Sequence, residues 1–164
     1  MPDAQRINER PDASLDTRSV TARQALMRVC AEATEAELVA ALEHLEPTPV
    51  ATDIRPTESG LVMLRGRIGG SGAPFNVGEA TVTRAVVRLA TGETGFSYLL
   101  GRSKARARLA AIIDGAGQNP TYRTAIEQHL VGPVTSRLAN ERRVAREEAA
   151  ATRVEFFTLV RGED

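Results

Sequence analysis

The spacing of apolar residues changes twice along this chain, and no other feature constrains its fold as much. Between Val50 and Leu100, the stretches 50–55, 61–68, 80–89 and 94–100 are rich in Val, Ile, Thr and aromatic residues, and "ESG", "GGSGAP" and "TGET" bound them. Such segments between turn-forming residues read as antiparallel β-strands. On the third, Thr81, Thr83, Ala85, Val87 and Leu89 fall on one face, and Val82, Arg84, Val86 and Arg88 on the other, because successive strand side chains alternate. The two arginines therefore share a face, open to solvent, a subunit contact or an anion.

On either side of this region the period is helical. Ala22, Leu26, Val29, Cys30 and Ala33 follow one helix face, and Thr34 with Glu37 forms a capping box ahead of Leu38, Ala41, Leu42 and Leu45. After Gly101, Ala105, Leu109, Ile112, Ile113 and Ala116 predict a third helix, and Tyr122, Ala125, Ile126 and Leu130 a fourth before "GP". A fifth, over 134–152, shows a narrow stripe of Val134, Leu138, Ala145 and Ala149, with Arg137/Glu141 and Arg143/Glu147 spaced for surface pairing. The closing "VEFFTLVRG" alternates like a strand. The expected fold is α+β, an antiparallel β-sheet with flanking helices, in a single domain over 19–164 behind a disordered leader over 1–18.

Twenty arginines and Lys104 balance 21 acidic residues, so a uniformly basic polyanion-binding surface is disfavoured. No stretch approaches the roughly 20 apolar residues of a membrane span, and no signal peptide is evident. Cys30 is alone and His44 and His129 lie on different helices, so neither a disulfide framework nor a metal-ligand set is expected. These features fit a cytoplasmic protein without a metal.

The glycines at 69, 70 and 72 lack the Gly-Lys-Ser/Thr of a P-loop and the G-x-G-x-x-G order. Gly69, Gly70 and Gly72 therefore read as a hairpin turn first, with a backbone anion nest as the alternative. Arg102 and Lys104 stand where free amides at a helix start favour an anion. Asp114 and Glu79 are carboxylates of the kind that act as general bases but more often cap or pair. A small RNA-binding module is a further alternative, with Arg84 and Arg88 beside Phe96 and Tyr98 for base stacking; neutral charge and sparse aromatics weigh against it.

Three blocks, "ESGLVMLRGRIGGSGAPFNVGEATVTRAVVRL", "GFSYLLGRSKARARLAAIID" and "TRVEFFTLVRG", resemble in order and spacing the PhnG family, the G subunits of the bacterial carbon-phosphorus lyase core complex. The resemblance covers about residues 20 to 162. It implies an accessory subunit that works with H, I and J subunits, closest to the I subunit. With them it supports transfer of an alkylphosphonate to C1′ of ATP, with release of adenine. ATP would be a co-substrate of the complex, and this chain alone would bind no cofactor. Arg84, Arg88, Arg102 and Lys104 match the family blocks and are candidates for a partner contact or an anion at a shared interface. The family's second block carries Asp and His where this chain has Ser103 and Arg106, so no catalytic histidine is expected.

Overall fold

The computed structural model describes residues 17–69 and 71–152; the final "VEFFTLVRG" strand and most of the leader lie outside them. Helices α1 (Thr17–Glu32) and α2 (Glu35–Glu43) lead into strands β1 (Ala51–Arg67), β2 (Pro74–Leu89) and β3 (Thr94–Leu100). Helices α3 (Lys104–Ala116), α4 (Pro120–Ile126) and α5 (Gly132–Ala151) follow, with a π-helical turn, Glu127–Val131, between the last two. The first helix begins at Thr17, inside the stretch assigned to the leader.

The sheet is antiparallel in the order β1-β2-β3, so the fold is the expected α+β type. Where the sequence pattern suggests separate strands over 50–55 and 61–68, the chain forms one long strand. Pro56 and "ESG" do not break it. Register shifts between Asp53 and Arg55 and between Arg55 and Glu58 absorb the irregular stretch. Pro56 itself has no register partner, and β1 is an edge strand among the described residues, where proline is tolerated. The "GP" at 132–133 likewise fails to separate two helices. The π turn bridges them, with the Gly132 amide donating to Glu127 O.

One face of the sheet carries the core. Ala85, Val87, Leu89 and Leu99 pack against Ala107, Ala110, Ala111 and Ile113 of α3, with Leu38, Leu45, Leu130 and Val134 completing the cluster. The small residues on α3 bring its backbone close to β3. A Cβ on Gly95 would lie 1.9 Å from Ala111 O and 2.5 Å from Gly115 N, so at this crossing backbone meets backbone. Ser97 Oγ donates to Ala107 O at 2.6 Å across the same interface.

One side chain joins α5 to both leading helices. Arg137 of α5 donates to both Glu37 carboxylate oxygens, to the Glu32 carbonyl at the end of α1, and to Glu141. Glu37 is itself the acidic half of the capping box on Thr34. The Arg137 hydrogen bond, aided by those from Thr34, holds the Glu37 carboxyl below its usual range against the opposing pull of desolvation.

Two outcomes follow from this packing. Gly95→Ala should prevent stable folding, or lower the thermal midpoint far more than Gly78→Ala, whose added methyl meets nothing within 4 Å; circular-dichroism melts compare them. Because the Glu37 pKa is depressed on folding, its stabilisation is complete above the unfolded value near 4.5 and is lost as pH falls through the lower native value. Arg137→Gln should therefore melt earlier than the parent at pH 7, with the gap closing under acid below about 4.5. A gap that stays constant with pH would contradict the linkage.

Candidate functional site

The outer face of the sheet carries exposed basic and aromatic residues. Register pairs Arg84 with Tyr98, Val86 with Phe96, and Arg55 with Val86, so Arg55, Arg84, Phe96 and Tyr98 share this face with Arg88. Arg84 is engaged by Glu58 across the strands, Nε to Oε1 at 2.8 Å. Arg88, Arg102 and Lys104 are exposed, and their side chains make no hydrogen bond or ion pair among the described residues.

The four basic candidates do not converge. Arg88 lies opposite Thr94 and Arg102 lies past Leu100, which places them roughly 20 Å apart along the strands at about 3.3 Å per residue. Arg84 and Arg88 belong to one surface, whereas Arg102 and Lys104 belong to the start of α3. The glycine cluster joins β1 to β2: Gly69 has φ 63°, and the Gly72 amide donates to Ile68 O at 3.1 Å. Gly70 lies outside the described residues.

The start of α3 is occupied by the chain's own groups. Ser103 caps it by accepting from the Arg106 amide and also donates to Glu35. Arg106 reaches back to the Ala31 carbonyl in the last turn of α1, 2.8 Å away. Ser103 and Arg106 therefore have structural work here, capping one helix and tying down the end of another.

Asp114 is not an open base. Its carboxylate is 1% exposed and accepts from Arg23 Nε at 2.8 Å, Arg23 Nη2 at 2.6 Å and the Phe96 amide at 2.9 Å. The Arg23 guanidinium also donates to Thr94 O and sits over the Phe96 ring, 4.7 Å from its centroid. Hydrogen bonding to Asp114 raises the Arg23 pKa despite desolvation. Sequence reasoning missed Arg23, because nothing in its helical spacing marks a partner 91 positions away. Glu79, by contrast, is exposed on the distal part of the hairpin, opposite Met63.

Beside this cluster lies a cavity of about 190 Å³ lined by Met27, Arg28, Cys30, Phe96, Tyr98 and Asp114 among others. That is smaller than the roughly 300–1,000 Å³ of typical ligand pockets. Burial, reinforced by the Asp114 charge, pushes the Cys30 thiol up to about 12, so at neutral pH it is a protonated core group and not a nucleophile. His44 and His129 are exposed and stack with centroids 4.0 Å apart and planes inclined by 13°. In-plane lone pairs on such rings do not converge on one ion. Among the described residues no group of three or more His, Cys, Asp or Glu is placed to hold a metal.

What remains is a protein of tied-up reactive groups and open surfaces, and sequence comparison states its family. Residues 21–162 match the family described as "Phosphonate metabolism protein PhnG". The chain belongs to the PhnG family. The alpha-D-ribose 1-methylphosphonate 5-triphosphate synthase subunit PhnG of Rhizobium meliloti (strain 1021) is 52% identical over 149 residues, covering 91% of this chain and 95% of that protein. No helix among the described residues is long and apolar enough to cross a membrane.

Removing the buried carboxylate should show how much this arrangement carries. Asp114→Ala strands the Phe96 amide and releases Arg23, and should cost about 3 kcal/mol, the scale for breaking a buried pair. Asp114→Asn retains an acceptor and should cost less. Denaturant unfolding ranks the two variants, and an equal or inverted order would contradict the account.

Proposed function

We infer that this chain is a subunit of a ribose 1-methylphosphonate 5-triphosphate synthase acting in phosphonate catabolism. It supports the transfer of an alkylphosphonate to C1′ of ATP, with adenine as the leaving group. The observation that carries this reading is the 52% identity, over nearly the full length of both chains, to a protein named as that synthase's subunit. The chemistry of the chain agrees with a supporting part. Displacement at a ribose carbon needs a held triphosphate, a placed phosphonate and a stabilised leaving base. Here the buried carboxylate is saturated, the thiol is protonated, and the unpaired cations lie on separate surfaces.

The partners we assign are the H, I and J subunits of the carbon-phosphorus lyase complex, with the I subunit as nearest neighbour and main catalyst, in the cytoplasm. ATP serves the complex as co-substrate, and we assign no cofactor to this chain. Arg84 and Arg88 on the outer sheet face, and Arg102 and Lys104 at the start of α3, are proposed as two separate contact points for a partner or for an anion it shares.

The test is adenine release from ATP and methylphosphonate by the cognate H and I subunits, with and without this chain, each mixture checked for folded partners. Release should depend on the chain. In the assembled complex, Arg88→Ala should lower turnover more than Arg84→Ala, because Glu58 already engages Arg84. Equal release from well-folded partners alone would overturn the transferase reading and leave an architectural subunit.

A further inference from the structure

The β1–β2 hairpin outruns the domain that supports it. From Thr83 to Leu89 the inner face of β2 is buried beneath the helices, but the described residues between 60 and 81 contribute nothing to the core cluster. Along this arm Leu61, Met63, Leu64, Phe75 and Val77 are 63%, 59%, 46%, 44% and 61% exposed, and Ile68 at the turn is 76% exposed. Leu61 and Met63 continue the alternation of the core-facing side, opposite Thr81 and Glu79, while Leu64, opposite Gly78, lies on the other side. Both sides of a two-stranded ribbon therefore present large apolar side chains to solvent. An isolated hairpin of this kind is marginal in water, and a contiguous apolar surface marks an interaction site.

We propose that this arm, residues 61–69 and 71–81, is a docking element that inserts into an apolar groove of a partner subunit of the synthase, a proposal that rests on the subunit reading above. Its exposure on both faces selects the occupant. A second copy stacked across a twofold axis covers one face and leaves the other wet, whereas a groove in a larger subunit encloses both. The extent fits as well. Residues 61–81 match the roughly 20–30 residues that one side of a standard interface contributes, and a ribbon roughly 25 Å long, covered on both faces, approaches the roughly 800 Å² such a side buries. Charge points to protein and not to lipid. Arg65, Arg67 and Glu79 mix both signs along the arm, as in a polar interface rim, whereas an anionic membrane surface selects for basic residues alone.

The test coexpresses the tagged full chain with the other synthase subunits and measures how much of each co-purifies. The comparison sets the triple variant Leu61→Ser, Met63→Ser, Phe75→Ser against Val144→Ser, which alters an exposed apolar residue of α5. The arm variant should keep the parent's melting curve and retain less than about a tenth of the partner, while Val144→Ser retains the parental amount. A photoreactive residue at Met63 should cross-link to a partner subunit, which tests the contact even where the triple variant folds poorly. Parental co-purification by a folded arm variant, or no cross-link from an assembled complex, overturns the proposal. So does a chain that is dimeric alone and made monomeric by the arm substitutions, an outcome that assigns the arm to a second copy. If the parent itself recovers no partner, the subunit reading falls and the proposal with it.

Discussion

A carboxylate removed from water must find its charge and its hydrogen bonds elsewhere, and in this domain Asp114 finds both at the place where three elements meet. Arg23 brings α1, the Phe96 amide brings the outward edge of β3, and Asp114 itself brings α3. An unpaired buried charge costs several kcal/mol, so these partners hold the three elements in one arrangement. The contact also covers part of a strand edge, since the Phe96 N–H would otherwise face away from the sheet, available to another strand. Gly95 and Gly115 set the distance at which this is possible. With side chains there, α3 would stand too far from β3 for Asp114 to reach the Phe96 amide.

From that junction the molecule divides into a satisfied half and an unsatisfied half. Around α1, α2 and α3, polar groups are answered by caps, by Arg106 on the Ala31 carbonyl and by Arg137 on Glu37 and the Glu32 carbonyl. Away from it, the distal hairpin and the last turns of α5 are exposed on all sides, with little to hold them beyond their own backbone ladders. The i,i+4 pair Arg143–Glu147 on that helix is a surface pair of small worth. A free monomer gains nothing from building long elements past its core. A subunit does, because the unfilled surface is completed when its partner arrives.

Much of this was legible in the sequence, and the failures have identifiable causes. Short-range signals carried well: the Thr34/Glu37 capping box, the alternation of β2 and β3, and the Arg137/Glu141 and Arg143/Glu147 spacings all stand in the structure. The break expected between Arg55 and Leu61 did not materialise, because whether turn-forming residues end a strand depends on whether that strand lies at an edge, and strand order is not written locally. Arg23 with Asp114, Arg137 with Glu37, and the stack of His44 on His129 join residues far apart in the chain. Their spacing gives no hint of pairing. How Arg84 and Arg88 lie relative to Arg102 and Lys104 was illegible for a related reason: the alternation that put two arginines on one face says nothing of how far α3 begins from them.

The same facts explain why a family resemblance and a bottom-up reading lead to one conclusion here. Catalysis at a sugar carbon requires groups that are poised but not yet spent, a carboxylate with a free lone pair or a cation aimed at a phosphate. In this chain the deeply buried carboxylate is consumed by folding, and the exposed cations are spread over a strand face and a helix start. Such cations become a binding site only when another surface closes over them, excludes water and fixes their geometry. The physical form of a supporting subunit is therefore a core that spends its reactive groups on itself and a periphery left for others to complete. The long hairpin and the bare sheet face are that periphery.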